Sequence, residues 1–313
     1  MHVIPFIVAY AAILVFMVAV IGRFVMFSRL PMHLRWELYP VAHEPGKAHY
    51  GGSYLEEFEW WKKPRKSSLM GELKVMIPEI VFLVALKEHN RKMWTRSFPF
   101  HFGLYLIIAC TALMVLSAIL GVAWNSYADS GFAGILKTAV VVLGGAGLGL
   151  GLLGALGLLG RRLTAQDLKS FTSPADLFNL VFFIVAFGVA GAHFLTADTD
   201  FAQVNAFVAN LVTGDLGASG ALSPLHFASV VLLSLLLAYI PLTHMSHFVG
   251  KYFAYHAVRW NDEPNLPGGK TEGKIPDLLN QNVGWSAPHI RGAGRKKTWA
   301  EAATENPARD EEK

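Results

Sequence analysis

Three histidines lie in one apolar stretch near the carboxyl end of the chain, PLHFASVVLLSLLLAYIPLTHMSHF: His226, His244 and His247. Burying a polar group in an apolar medium without a partner costs roughly 2–7 kcal/mol, so these rings are expected to bind something. A neutral imidazole offers a nitrogen lone pair to a metal such as iron, and it also relays protons. The stretch therefore predicts metal or proton chemistry inside a membrane-spanning helix.

The spacing of these residues favours two sites at different depths. An α-helix turns 100° and rises 1.5 Å per residue, so the eighteen residues from His226 to His244 make about five turns and about 27 Å. On a continuous helix both rings would point the same way, but Pro241 is expected to kink the helix just before His244 and His247, so their exact facing cannot be computed. His247 lies about 60° further round and is the alternative to His244.

Two more histidines lie at matching depths in other apolar segments. His101 is about one turn inside the start of its segment, at the level of His244, and His193 is about one turn from the end of its own, at the level of His226. Two imidazoles that face each other from separate helices can hold a haem iron from both sides, and bundle interiors are where such cofactor sites are built. We predict bis-histidine haem sites at His101–His244 and His193–His226.

The surrounding residues narrow the chemistry. Arg96 and Lys251 lie near the same membrane face as His244 and are candidates for the haem propionates, or they are ordinary interfacial charges. A single intramembrane histidine is more often a hydrogen-bonded residue or a proton relay, but four in two matched pairs favour haem. Asp, Glu and Cys are missing at ligand depth, which argues against di-iron carboxylate and zinc sites. The remaining loop and tail histidines are expected to be solvated: His33, His43, His49, His89, His256 and His289.

Five segments are long and apolar enough to span a bilayer, which takes about 20 residues. They cover about 3–27, 98–124, 132–159, 175–196 and 222–250. The chain is 53% hydrophobic and 16% charged, against about a quarter charged in soluble domains. We therefore predict an all-α membrane protein with a five-helix transmembrane bundle. The apolar patch at 75–86 is too short to span and contains a proline, so we expect an interfacial or buried helix.

Lysine and arginine set the predicted orientation. Loop 28–97 holds twelve, loop 160–174 three and the tail from 251 ten, whereas loops 125–131 and 197–221 hold none. The positive-inside rule predicts the amino terminus outside, with the long first loop and the tail in the cytoplasm. No basic residue precedes the first apolar stretch, so we expect an uncleaved first span of a multi-pass inner-membrane protein.

This pattern predicts four regions: a first helix (1–27), a cytoplasmic loop (28–97), a four-helix haem-binding core (98–250) and a cytoplasmic tail (251–313). Tryptophans without a nearby core predict a partner surface or interfacial anchors in contact with lipid: Trp36, Trp60, Trp61, Trp260 and Trp285.

Two further features bear on packing and redox chemistry. Eight glycines between 144 and 160, with four-residue spacings such as Gly147/Gly151 and Gly145/Gly149, predict close helix packing inside this chain or a docking face for a second membrane subunit. The single cysteine, Cys110, cannot form an internal disulfide, hold a four-thiolate iron–sulfur cluster or attach a c-type haem.

From about 95 to 255 the sequence resembles the γ subunit of respiratory nitrate reductase, a five-span di-haem cytochrome b with its amino terminus outside. His226 and His244 match that family's ligands eighteen residues apart on the fifth span, PLTH ends at His244, and FHFGLYL surrounds His101. Where the family takes its outer ligand on the second span, this chain has Thr111; either His193 replaces that ligand or the outer haem is missing. The family's quinol-site residues have no clear match.

Within this superfamily the chain looks closer to the membrane cytochromes of sulfate-reducer transmembrane redox complexes and of membrane heterodisulfide reductase. The stretch YHAVRWNDEPN after the last span and the long first loop carry this likeness. The resemblance implies a cytoplasmic iron–sulfur partner, and it also implies a periplasmic multi-haem cytochrome c or another membrane subunit as possible partners.

The function expected from these features is electron transfer across the membrane between the quinone pool and a cytoplasmic iron–sulfur subunit, through two b-type haems. Bond-breaking chemistry would belong to another subunit, and no nucleic acid is expected as a partner. One alternative is a quinone-independent conduit from a periplasmic cytochrome c. Another is a proton-coupled transporter in which the histidines relay protons.

Overall fold

A computed structural model describes residues 3–30, 41–44, 53–64, 66–216, 222–285, 287, 290 and 295–305. Within them the regular secondary structure is helical, apart from an isolated β-bridge between Asn282 and Thr298. The α-helices in chain order are α1 (Ile4–Arg29), α2 (Leu69–Phe82), α3 (Val84–His89), α4 (Arg91–Ala123), α5 (Gly131–Thr164), α6 (Gln166–Lys169), α7 (Pro174–Ala197), α8 (Ala202–Thr213), α9 (Pro224–Tyr239), α10 (His247–Phe253), α11 (Lys270–Leu279) and α12 (Trp299–Thr304).

Five of these segments are long and apolar enough to cross a membrane: α1, α4, α5, α7 and Pro224–Leu242. Their outward faces carry large apolar side chains, for example Leu14 at 65% exposure, Val122 at 68% and Leu153 at 66%. Apolar surface on this scale needs a lipid or protein partner. The predicted all-α architecture with five span-capable helices is confirmed.

The fifth span departs from α-helical geometry at Pro241, as expected. α9 ends at Tyr239 and is followed by two single 3₁₀ turns, Ile240–Leu242 and His244–Ser246, before α10 begins at His247. Pro241 lies in the first of these turns, and proline removes a backbone donor and clashes with the preceding helical turn. The break is larger than a kink, so the five-turn spacing of a continuous helix does not describe His226 and His244.

The short apolar patch at 75–86 is helical, as expected. It includes the end of α2 and the start of α3, which meet at Leu83 with a left-handed backbone (φ 52°). Two side chains of α4 fix the patch: the Tyr105 hydroxyl donates to the Ile80 carbonyl at 2.9 Å, and the Trp94 indole N–H donates to the Phe82 carbonyl at 2.8 Å.

The chain divides into two compact units. The first comprises Met1–Val20 and Lys74–Ser246, and the second comprises Ile21–Leu73 and His247–Lys313. In the first unit α5 packs against α4 and α7, α7 packs against α9, and α8 packs against α4. Its core joins aromatic and small side chains, among them Phe183, Phe187 and Ala155. The second unit is built around the buried Trp260, Val283 and Ile290.

Glycines let α4 and α5 approach at backbone distance. A Cβ atom on Gly103 would lie 2.4 Å from the backbone nitrogen of Gly151 and 2.8 Å from the carbonyl oxygen of Gly147, and one on Gly154 would lie 2.3 Å from the backbone nitrogen of Phe100. The Gly147/Gly151 pair therefore packs within this chain. Gly149 is different, because it is exposed and a Cβ atom there would meet nothing within 4 Å.

We predict that Gly103→Ala lowers the thermal stability of the detergent-solubilised protein, because the new methyl group must push the backbones of α4 and α5 apart. Overpacking of this kind costs about 1–3 kcal/mol. Gly149→Ala is the matched control and is expected to leave the unfolding temperature unchanged or raise it, since alanine is the better helix former. Equal unfolding temperatures for Gly103→Ala and the wild type would contradict this account of the contact.

Candidate functional site

Two buried histidines meet between α7 and α9. The rings of His193 and His226 are stacked, with centroids 4.6 Å apart and planes 19° apart. Each residue is only 1% exposed. The structure thus brings together the pair that depth matching in the sequence predicted on these two segments.

The Nε2 nitrogen of each ring lacks a hydrogen-bond partner within the described residues. Within the described residues, neither the Nε2 atom of His193 nor that of His226 has a hydrogen bond, although both are buried. A buried polar atom left in this state costs about 1–3 kcal/mol, and native structures rarely contain one without an explanation such as a bound ion or water. The pair is therefore a candidate ligand set.

Antiparallel helices place the two rings at the same level. His193 lies in the last turn of α7 and His226 in the first turn of α9. The hydroxyl of Ser223 accepts the backbone N–H of His226 at 3.2 Å, which caps α9 and fixes this residue in its first turn.

An apolar layer closes over the pair. Phe207 of α8 packs edge-on to His226, with ring centroids 6.2 Å apart, and stacks on Phe6 of α1 at 4.5 Å. The Tyr10 hydroxyl donates to the carbonyl of Leu211 at 2.6 Å, which links α1 to α8. These contacts exclude water from the imidazoles.

Two glycines of α7 near His193 face open space. A Cβ atom on Gly188 or Gly191 would meet nothing within 4 Å. These glycines precede His193 by five and two residues, so at 100° per residue they lie about 140° and 160° round the helix from the histidine. The open space is therefore on another face of α7.

Asp198 holds the neighbouring elements together, and the sequence analysis did not single it out. Its backbone N–H donates to the carbonyl of His193 at 3.1 Å, and its carboxylate accepts the backbone N–H groups of Gln203 and Val204 at 2.9 and 3.0 Å. The residue is 4% exposed. A buried carboxylate thus ties the end of α7 to the start of α8; the signal in the sequence was an acidic residue directly after a span.

The line of contact between α7 and α9 is called the α7–α9 seam below. His244 lies at the end of this seam that is far from His193, and it has a carboxylate partner. Its Nε2 atom is 3.5 Å from Oδ1 of Asp176, and its side chain is 63% exposed. Asp176 also lies 3.8 Å from the guanidinium of Arg162 and accepts the Ser173 hydroxyl at 2.8 Å. The absence of acidic groups at ligand depth, expected from the sequence, does not hold here, because the capping residue in the first turn of α7 faces this histidine.

A buried hydrogen bond lies further along the same seam. The Tyr239 hydroxyl donates to Oδ1 of Asn179 at 2.7 Å, and Asn179 is 5% exposed. Asp176 and His193 are seventeen residues apart on α7, so the two ends of the seam are separated by roughly 26 Å.

His101 is held on α4 in the tautomer that a metal ligand needs. Its Nδ1 atom lies 2.8 Å from the carbonyl oxygen of Ser97 and 3.2 Å from the hydroxyl of the same residue. A carbonyl only accepts, so Nδ1 carries the proton and Nε2 keeps its lone pair. Metal-bound histidines are usually oriented by such a bond.

The other predicted site residues are placed as follows. Among the described residues, the polar partner of His244 is Asp176, so the His101–His244 pairing remains a prediction. His247 is exposed at the start of α10. Arg96 lies on α4, where its guanidinium donates to the carbonyl of Lys92 and its side chain runs past Gly157.

The expectation of solvated loop histidines is wrong for His43, which is 7% exposed. Its partner, Asp262, is 219 residues away in the chain, which is why local sequence did not reveal the burial. His89 is exposed, as expected. His33, His49, His289 and Trp36 lie outside the described residues.

The residues at the His193–His226 site fit an iron porphyrin by their chemistry. Two buried imidazoles from facing helices provide two nitrogen donors beneath an apolar layer. The rings are stacked, so both would have to turn for their Nε2 atoms to hold iron. No cluster of three or more His, Cys, Asp or Glu suited to a bare metal ion occurs in the described part of the chain.

Comparison with known proteins gives one informative relative. The chain is 23% identical over 275 residues to an Hdr-like menaquinol oxidoreductase cytochrome b-like subunit of Archaeoglobus fulgidus, covering 79% of this chain and 76% of that protein. No protein family and no solved structure matches at a significant level. The relative supports the expected likeness to heterodisulfide-reductase-type membrane cytochromes, and the five span-capable helices support a multi-pass membrane protein. The likeness to nitrate reductase remains a prediction.

We predict that Asp198→Ala loosens α8 from the end of α7, because two backbone N–H groups in the first turn of α8 lose their acceptor. Loss of a side-chain acceptor at the start of a helix costs about 0.5–2 kcal/mol. Amide hydrogen exchange over residues 202–213 should become faster. Asp129→Ala, which removes an exposed aspartate from another connecting loop, serves as the control and should leave exchange there unchanged. Unaltered exchange in Asp198→Ala would show that the carboxylate does not fasten this helix.

Proposed function

We propose that this protein is the membrane electron-transfer subunit of a quinone-linked oxidoreductase complex and carries two b-type haems. The observation that supports this most strongly is the buried His193–His226 pair with unpartnered Nε2 atoms. The name of the archaeal relative supports the same assignment. Electrons would pass between the quinone pool and a cytoplasmic iron–sulfur subunit.

Each haem would be held by imidazoles from two helices. His193 and His226 would hold one near the outer membrane face, in the orientation that the positive-inside rule predicts. His101 would hold the other near the cytoplasmic face, together with His244 or His247, and Arg96 would bind a propionate. When bound, haem supplies one-electron iron(III)/iron(II) chemistry.

The residues around the outer pair would protect that chemistry from water and set its geometry. Phe207 and Phe6 cover the rings, Asp198 fixes α8 over them, and Ser223 fixes the first turn of α9. At the other end of the bundle, the Ser97 carbonyl accepts the Nδ1–H group of His101 and orients its ring.

The membrane orientation and the partner subunits belong to the same proposal. The basic residues of the 28–97 loop and of the tail favour the cytoplasm, where the iron–sulfur subunit would dock. A periplasmic multi-haem cytochrome c as the electron donor would make the chain a quinone-independent conduit. A proton-coupled transporter would use the same histidines without any pigment.

We expect the purified protein to show a reduced-minus-oxidised visible spectrum of b-type haem, with two haems per chain. His193→Ala and His226→Ala should each leave one, because a single imidazole cannot clamp the iron from both sides. His89→Ala changes an exposed histidine outside the spans and should retain two. A colourless wild-type protein would refute the proposal, and two haems in both variants would remove this pair from it.

The second ligand of the other haem can be assigned by comparing His244→Ala with His247→Ala. We expect loss of this haem in His244→Ala, in line with the eighteen-residue family spacing. Asp176→Asn is the matched control, because it disrupts the contact with His244 while keeping the imidazole, and it should retain both haems. Loss in His247→Ala instead would reassign the ligand.

A further inference from the structure

The second unit contains a polar cleft that the haem proposal does not use. Its volume is about 540 Å³. It is lined by His43, Tyr54, Lys63, Ser67, Glu72, His256, Trp260, Asn261 and Asp262. The lining combines several proton-carrying side chains in a space large enough for a ring-sized ligand.

A π-helical segment shapes one wall of this cleft. Residues Ala254–Arg259 form the π-helix and present His256, and the buried Trp260 follows at once. The indole packs edge-on against His256 and His43, with ring centroids 5.6 and 6.3 Å away. π-Helices are rare and are frequently found at functional sites.

Buried hydrogen bonds fix the segment that contains His43. The Glu44 carboxylate, 3% exposed, accepts the Ser53 hydroxyl at 2.7 Å and the Val41 backbone N–H at 3.1 Å. The carbonyl of His43 accepts the backbone N–H of Ser68 at 3.1 Å. His43 is therefore held in a fixed position.

Two acidic side chains of the cleft lie near His43, and only one of them accepts hydrogen bonds. Asp262 accepts the Tyr54 hydroxyl at 2.6 Å and the Nε2–H group of His43 at 3.2 Å. Glu72 lies 3.7 Å from the other ring nitrogen, which is too long for a hydrogen bond. Its side chain is only 16% exposed, and within the described residues no donor reaches its carboxylate.

His256 is the second unsatisfied group. Burial lowers the pKa of its imidazole below the ordinary value, although the Glu72 carboxylate acts in the opposite direction. The ring is therefore neutral near pH 7 and can take up a proton. It contacts Tyr252 and Trp260 through ring faces and edges, and among the described residues its nitrogens have no hydrogen-bond partner.

An exposed aromatic surface of the same unit adjoins His256. The ring of Tyr252 lies 4.4 Å from His256 and 6.4 Å from Phe24 of α1. Phe24 and Tyr252 are 49% and 48% exposed, and Phe253 and Phe27 pack beside them. The cleft thus offers two proton acceptors next to an apolar face, which matches an amphiphile with a polar, proton-donating head.

We propose that this cleft binds the headgroup of a membrane quinol, with Glu72 and His256 receiving its two hydroxyl groups. The inference rests on the proposed electron-transfer function. On oxidation both O–H bonds break, one proton goes to the Glu72 carboxylate and the other to the His256 imidazole, and the hydroquinone becomes a quinone. The two electrons would leave one at a time, and the haems of the proposed function would supply the two one-electron oxidising equivalents.

The test uses the haem-loaded protein and menadiol, a soluble naphthoquinol, with haem reduction followed by stopped-flow absorbance. Glu72→Gln and His256→Gln should each slow this reduction roughly 100-fold, since general bases contribute about 10²–10⁴-fold. Glu88→Gln and His89→Gln make the same changes at exposed positions outside the cleft and should react at the wild-type rate.

Reduction by dithionite separates this inference from the haem proposal. Variants that keep both haems and are slow with menadiol alone support the cleft. A wild-type protein without haem refutes the electron-transfer function itself. Haem-replete variants that react with menadiol at the wild-type rate overturn only the cleft, as does a wild-type protein that dithionite reduces and menadiol does not.

A second measurement does not depend on stable variants. An azido-naphthoquinone photolabel on the wild-type protein should mark peptides within 252–262, as identified by mass spectrometry, and excess menadione should prevent the labelling. Labelling confined to other segments overturns the assignment. So does loss of a partner protein, rather than of menadiol oxidation, in Glu72→Gln, because the carboxylate would then serve a cationic side chain of that partner.

Discussion

An imidazole nitrogen that is buried without a hydrogen bond is the constraint on which the membrane unit depends. At the junction of α7 and α9 two such nitrogens lie together, and each costs about 1–3 kcal/mol unless a ligand satisfies it. The elements around them hold this unfavourable arrangement in place. Asp198 fastens α8, Ser223 caps α9, and Phe207 excludes water. A site organised in this way suits a metal-containing group that binds nitrogen lone pairs.

The two ends of the bundle treat their histidines differently. At one end His193 and His226 are buried among apolar side chains, and Asp198 is the acidic residue beside them. At the other end His244 is largely exposed and faces Asp176, after the fifth span has left α-helical geometry at Pro241. If haem binds at both ends, as proposed, the two irons would lie in different surroundings.

Sequence reasoning succeeded where the signal is carried by composition or by a single short-range rule. Apolar length predicted the five spans, and depth matching predicted that His193 and His226 meet. It failed where the partner is distant in the chain or where the helix departs from ideal geometry. The relative orientation of His226 and His244 could not be computed across the kink expected at Pro241, and the burial of His43 depends on Asp262. The contacts of Asp198 and Asp176 were not predicted, because the sequence alone does not distinguish a carboxylate that caps a helix from an exposed acidic residue in a loop.

The backbone contact between Gly103 and Gly151 has a mechanical consequence. Most helix pairs meet through side chains that can change rotamer, which allows the helices to slide by small amounts. Where two backbones touch directly, no such adjustable layer exists, so α4 and α5 are expected to move together as one rigid pair. Since His101 lies on α4, movements within the bundle are expected in the helices that pack around this pair rather than between its two members.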